Sequence, residues 1–153
     1  MEYFNNINNF DDIVKDLEKV LECKEIDEIL IIIRDYELKI LEYTTYNEQQ
    51  KIILLEIESE LKEIYSVYNS IKSFTEDEKN KLDWSFIGNV YIEKSNLINN
   101  FLERFGKINI DLEQTRLIIL INTCLYEIQK RGIAMKMVNA AGKSDKLTIH
   151  DFS

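Results

Sequence analysis

Five cations lie near the carboxyl end of the chain: Lys130, Arg131, Lys136, Lys143 and Lys146. Clustered lysine and arginine are the side chains that meet phosphates or an acidic protein surface, because such contacts need charge in one region more than a shaped pocket. They are the candidate contacts to a nucleic acid or to an acidic partner. The rest of the chain has the opposite character: 14 basic and 26 acidic residues precede position 130, against 5 basic and 2 acidic from there on. Two ordinary causes compete with a binding role. A helix favours cations at its C-terminal end, and five charges in 24 residues are sparse for a phosphate-binding patch.

A second group is amphipathic. Tyr43, Tyr46 and Asn47 lie where a long apolar repeat is interrupted. Tyrosine buries ring area while its hydroxyl stays wet, which suits the edge of a core and a protein interface alike. If the chain turns here, the tyrosines gather at the tip of a helical hairpin, so these three are candidate partner-binding residues.

Catalytic, cofactor and metal chemistry find little to work with. His150 is the one histidine and sits in a polar tail, a poor basis for a histidine metal site, a di-iron bundle or a nucleophile triad. Glu56, Glu58, Glu60 and Glu63 include neighbours on different helix faces, and such a run reads as solvated charge rather than a cation site. Ala141, Gly142, Lys143 and Ser144 look like the end of a phosphate-binding loop, but the required glycine five residues before Gly142 is Met137. Cys23 and Cys124 read as small buried hydrophobes in a reducing cytosol. The expectation is a non-enzymatic chain with no catalytic residue, no cofactor and no metal.

The elements that must position these groups are helical. Ile26, Ile29, Ile33, Tyr36, Ile40, Tyr43, Asn47, Gln50, Leu54, Ile57, Leu61, Ile64, Tyr68 and Ile71 alternate three and four residues apart, the period of a helix laying one face on others. Two readings stay open. An unbroken phase means one helix roughly 70 Å long at 1.5 Å per residue, with Asn47 and Gln50 as buried polar positions. Thr45 followed by Glu48 has the form of a capping box, which means a turn and a hairpin. Around this stretch, a first helix runs from near Asp11 to Glu22. Another opens at Thr75 with Glu78 and continues to Phe105, stopping at Gly106. A last one opens at Asp111 with Gln114, apolar on most sides through Ile128, and Gly132 either ends it or lies within it. Leu147, Ile149 and Phe152 alternate in the tail like a short strand or docking peptide.

Length and composition bound the whole. The chain has 153 residues, 45% hydrophobic and 31% charged, with no proline and four glycines, which suits one helical domain and not a many-stranded sheet. The amino terminus lacks a basic start and an apolar run of signal-peptide length, and no segment approaches the roughly 20 apolar residues of a membrane span. The sequence therefore predicts an all-α bundle of about five helices over residues 1–142, containing a long heptad-patterned helix or helical hairpin, with a polar tail at 143–153. Its expected setting is cytoplasmic, without a membrane. Its expected work is protein contact, as a small acidic regulator, an inhibitor or antitoxin-like partner, or a minor subunit. A nucleic-acid-associated subunit and a self-associating coiled-coil protein are the alternatives.

Overall fold

The computed structural model describes residues 10–42, 47–108 and 110–140, the last three as backbone only. They form six helices: α1 (Phe10–Glu22), α2 (Ile26–Glu42), α3 (Glu48–Lys72), α4 (Glu76–Asn80), α5 (Trp84–Gly106) and α6 (Leu112–Ala140). No strand occurs among the described residues. Nor is any described helix long and apolar enough to cross a membrane. The expected strand or docking peptide at Leu147, Ile149 and Phe152 lies outside the described residues.

Reciprocal side-chain caps fix where the helices begin. The heptad stretch is two helices, not one, and the cap that separates them is Asn47 with Gln50 rather than Thr45 with Glu48. The Asn47 side chain accepts from the Gln50 backbone N at 2.9 Å, and the Gln50 side chain accepts from the Asn47 N at 3.0 Å. Asp111 and Gln114 open α6 in the same way, at 2.8 and 3.0 Å. A cap of this kind contributes about 1 kcal/mol. The box at Thr75 and Glu78 is also present, but it opens only the five-residue α4. The expected single helix from Thr75 is interrupted because Asp83 caps a new start, accepting from the Phe86 N at 3.1 Å. Trp84, buried beneath, donates its indole N–H to the Lys79 carbonyl and pins the bend.

Four helices close a ring in which α2 packs on α3, α3 on α5, α5 on α6 and α6 on α2, and α1 packs on the outside of α6. Neighbours run antiparallel. Along α3, Glu60 meets Lys94, Glu56 meets Arg104 and Gln50 meets Ile108, so rising numbers on one helix face falling numbers on the other. The interior is largely isoleucine: Ile26, Ile29 and Ile33 from α2, Ile57 and Ile64 from α3, Ile98 from α5, and Ile121 and Ile128 from α6 are all 0% exposed. Within the heptad stretch Gln50 is buried and Asn47 is exposed.

The tightest contact joins α5 to α6. A Cβ placed on Gly132 would lie 2.6 Å from the Gly88 carbonyl oxygen, and one placed on Gly88 would lie 2.3 Å from that of Gly132. Gly132 thus lies inside α6 and does not end it, because it is the face on which α5 rests. The other long contacts end on backbone carbonyls. The Gln50 Nε2 donates to the Ile108 carbonyl at 2.6 Å, the Gln114 Nε2 to the Ile40 carbonyl at 3.2 Å and the Arg131 guanidinium to the Leu21 carbonyl at 2.8 Å. Ile40 lies in the last turn of α2, where carbonyls lack intrahelical partners, whereas the Leu21 carbonyl also accepts from the Lys24 N at 3.1 Å.

Three outcomes follow for denaturant unfolding. Gly88→Ala and Gly132→Ala should each lower stability by about 2 kcal/mol, since the opposing group is backbone. Gly106→Ala, whose Cβ would meet only side-chain atoms at 3.6 Å, should be neutral or slightly stabilising. Gln114→Glu keeps the local cap but loses the donor to Ile40 and buries a charge, so it should cost about 2 kcal/mol near neutral pH, a loss that an intact cap alone would not produce.

Candidate functional site

The residues singled out in the sequence do not converge. Tyr43, Tyr46, Lys143, Lys146 and His150 lie outside the described residues. Asn47 is exposed, with its side chain engaged as the cap of α3. Lys130 and Arg131 come together around the buried Glu127, at 3.7 and 4.0 Å, and Arg131 also holds the end of α1. Lys136 is exposed, its stem passing beside Gly88. Lys130 lies about 27 Å along the axis of α6 from the start of that helix at Leu112.

The glutamate run on α3 is partly solvated, as expected, and also ties α3 to neighbouring helices. Glu60 and Glu63 both hold Lys94, at 2.7 and 2.5 Å, Glu56 meets Arg104 at 3.6 Å, and Glu58 binds Arg34 on α2. Hydrogen bonds to Glu60 and Glu63 hold the Lys94 ammonium above the usual lysine range. Glu25, Asp27 and Glu28 bring carboxylate oxygens within 4.8 Å of one another at the start of α2. They are already answered: Lys72 lies 3.8 Å from Glu25 and 3.9 Å from Asp27, Lys24 lies 3.4 Å from Glu28, and the Tyr68 hydroxyl donates to Glu25 at 2.6 Å. An acidic first turn also suits the helix dipole. Of the cysteines, Cys23 is exposed, contrary to expectation, because it follows the last turn of α1; Cys124 is buried, and burial pushes its thiol up to about 12. Both are free.

Two features that sequence reading missed have the geometry of binding surfaces. The first is on α6. Leu117, Leu120, Ile121, Cys124, Leu125 and Ile128 face the interior, yet Leu112, Ile119, Tyr126, Ile133 and Met137 are between 40% and 61% exposed. The first four are seven residues apart, which keeps them in one stripe down the helix. Thr115 and Thr123 border it, and both hydroxyls donate back to α6 carbonyls at 2.9 Å, which satisfies their polarity within the helix. Because α6 is apolar on nearly every side, its sequence could not show which side lies open.

The second feature is a groove between α2 and α3, the pair in the ring that touches least. A cavity of about 540 Å³ opens there between Leu38 and Leu41 of α2 and Leu54 and Leu55 of α3. The Arg34–Glu58 ion pair and Lys51 also line it. Glu37 reaches into the groove while only 8% exposed, and its buried Oε1 has no hydrogen-bond partner. Burial raises its carboxyl to about 7, with Arg34 opposing the rise and Glu58 adding to it. The signal was present in the sequence: Leu30, Ile33, Glu37 and Ile40 are spaced three and four apart, so a carboxylate occupies a position in an apolar series.

A carboxyl that titrates near 7 folded and near its ordinary 4.5 unfolded binds its proton more tightly in the folded chain. The stability this contributes is whole below about pH 4.5 and is lost as pH rises to 7, with an upper bound of about 3 kcal/mol. Glu37→Gln should remove that slope and make the variant more stable than the parent at about pH 8 by on the order of 1–2 kcal/mol; denaturant titrations across this pH range check both. Among known proteins, no family model, no curated protein and no solved structure matches the chain.

Proposed function

We propose that the protein works by protein contact, without catalysis, as a self-associating helical module in which two copies pair α6 against α6. The observation that carries this reading is the open stripe of Leu112, Ile119, Tyr126 and Ile133, apolar at a strict spacing of seven on the most buried helix of the ring. Exposed apolar side chains in a continuous line are unfavourable in water and mark surfaces that another protein covers. A two-fold axis between Ile119 and Tyr126 sets those two residues against each other, and Leu112 against Ile133, so one stripe is its own complement. The charges agree with an antiparallel arrangement. Asp111 opens α6 and Lys136 lies towards its other end, so antiparallel pairing brings an acidic residue of one copy towards a basic residue of the other. A regulatory or subunit role would use the same surface. The nucleic-acid reading has less support, because Lys130 and Arg131 are turned to Glu127 and, for Arg131, to the end of α1.

Light scattering on a size-exclusion column, over a range of micromolar concentrations, tests the proposal. The expected mass is twice the 18.2 kDa of the chain. Tyr126→Glu and Ile133→Glu place a charge in the paired stripe and should weaken association by about 30-fold or more, with helical content unchanged because both residues are exposed. A wild-type monomer throughout, or a dimer indifferent to both substitutions, overturns it.

A further inference from the structure

The α2–α3 groove is separate from the α6 stripe, and its composition asks for a small ligand. We propose that it binds a free aliphatic amine, the ammonium head donating to the Glu37 carboxylate and the alkyl stem lying against Leu38, Leu41, Leu54 and Leu55. The space fits: about 540 Å³ is within the range of ligand pockets, and four leucines form the mainly apolar wall such sites have. Leu38 and Leu55 are 58% and 69% exposed, so a stem laid across them removes apolar surface from water. The head has one place to go. Glu37 lines the groove, is more than nine-tenths buried and has an Oε1, closed to solvent, that lacks a donor and that an ammonium reaches once the side chain turns outward, while Arg34 is paired with Glu58 and Lys51 with Glu48 at 3.2 Å.

The sign of the ligand follows from those pairings. With Arg34 paired to Glu58 and Lys51 to Glu48, Glu37 is the groove carboxylate without a direct ion pair, its charge opposed through space by Arg34. An anionic head would meet a carboxylate, and a neutral head would give a weaker hydrogen bond than a charged one. A primary ammonium is a compact charge with three donors, suited to a single carboxylate in a mainly apolar groove. The groups that set the ionisation of Glu37 are Arg34 on its own helix and Glu58 from α3, and no described charge on α6 contributes. An ammonium beside Glu37 favours its ionised form, so amine affinity should increase as pH rises through 7.

The test is a titration of the full chain with n-hexylamine, n-hexanol, hexanoate and methylamine, followed by leucine methyl shifts in NMR and by calorimetry. Hexylamine should bind and shift the methyls of Leu38 and Leu55. Hexanol should bind about tenfold or more weakly, and hexanoate and methylamine should show no saturable binding. Glu37→Gln should weaken hexylamine by about tenfold or more and abolish the pH dependence, while leaving hexanol unchanged. The control Leu55→Ser, at an exposed position, should weaken hexylamine and hexanol alike. Equal binding of hexylamine and hexanol, an unaffected Glu37→Gln variant, or no shift at the groove methyls overturns the proposal. A lysine capped at both ends that binds more tightly than hexylamine overturns the assignment to a free amine.

Discussion

The fold hangs on a contact between two backbones. Where α5 crosses α6, Gly88 and Gly132 bring the two backbones so close that a Cβ on either would strike the other's carbonyl oxygen. A glycine inside a long helix is unfavourable by about 1 kcal/mol relative to alanine, and two of them are retained here where they meet. With that crossing fixed, Trp84 and Tyr91 can be enclosed near it, and α6 also carries α1 and α2. The stripe that remains uncovered on α6 is what is left after α5, α2 and α1 have taken their shares.

A second constraint concerns helix ends, which must find partners for carbonyls that the helix itself leaves open. Gln50 and Gln114 meet it by dividing one amide between two tasks. The oxygen of each closes a local cap and the nitrogen reaches a carbonyl 58 or 74 residues away. Glutamate fills the same cap position at Thr75, where α4 is exposed and nothing beyond needs a donor. The choice between amide and acid at these positions thus separates the helix starts that fasten the ring from the one that merely begins a turn. Arg131 ties α1 to α6 by adding a second, charged donor to the Leu21 carbonyl, which already accepts from the Lys24 N.

Helical class, the caps at Thr75 and Asp111, and the end at Gly106 were legible because they depend on neighbours within four residues. The choice between one long helix and a hairpin was not, because Asn47 and Gln50 fit both: as polar positions in a continuous seam, or as a cap whose glutamine is buried by reaching Ile108. The break before Trp84 was hidden for a related reason, since it relies on an indole hydrogen bond to Lys79. The salt bridges of Glu56, Glu58, Glu60 and Glu63 and the open face of α6 depend on which helices lie alongside, and spacing within one helix does not carry that. Glu37 was the readable exception, a charge standing in an apolar series.

The attachment of α1 has a consequence for the order of events during folding. The hairpin of α5 and α6 is joined by a short connection and holds the most extensive pairing in the chain, so its contacts close a small loop and form at little entropic cost. The main partner of α1 is α6, and their tie from Leu21 to Arg131 spans 110 residues. On a ribosome α1 is made well before α6 and must wait for it before Phe10, Ile13, Val14 and Leu17 can be covered. In the finished molecule the same helix, held largely by one neighbour, is the natural first unit to detach, giving the chain a separable step of partial opening below the cooperative unfolding of the ring.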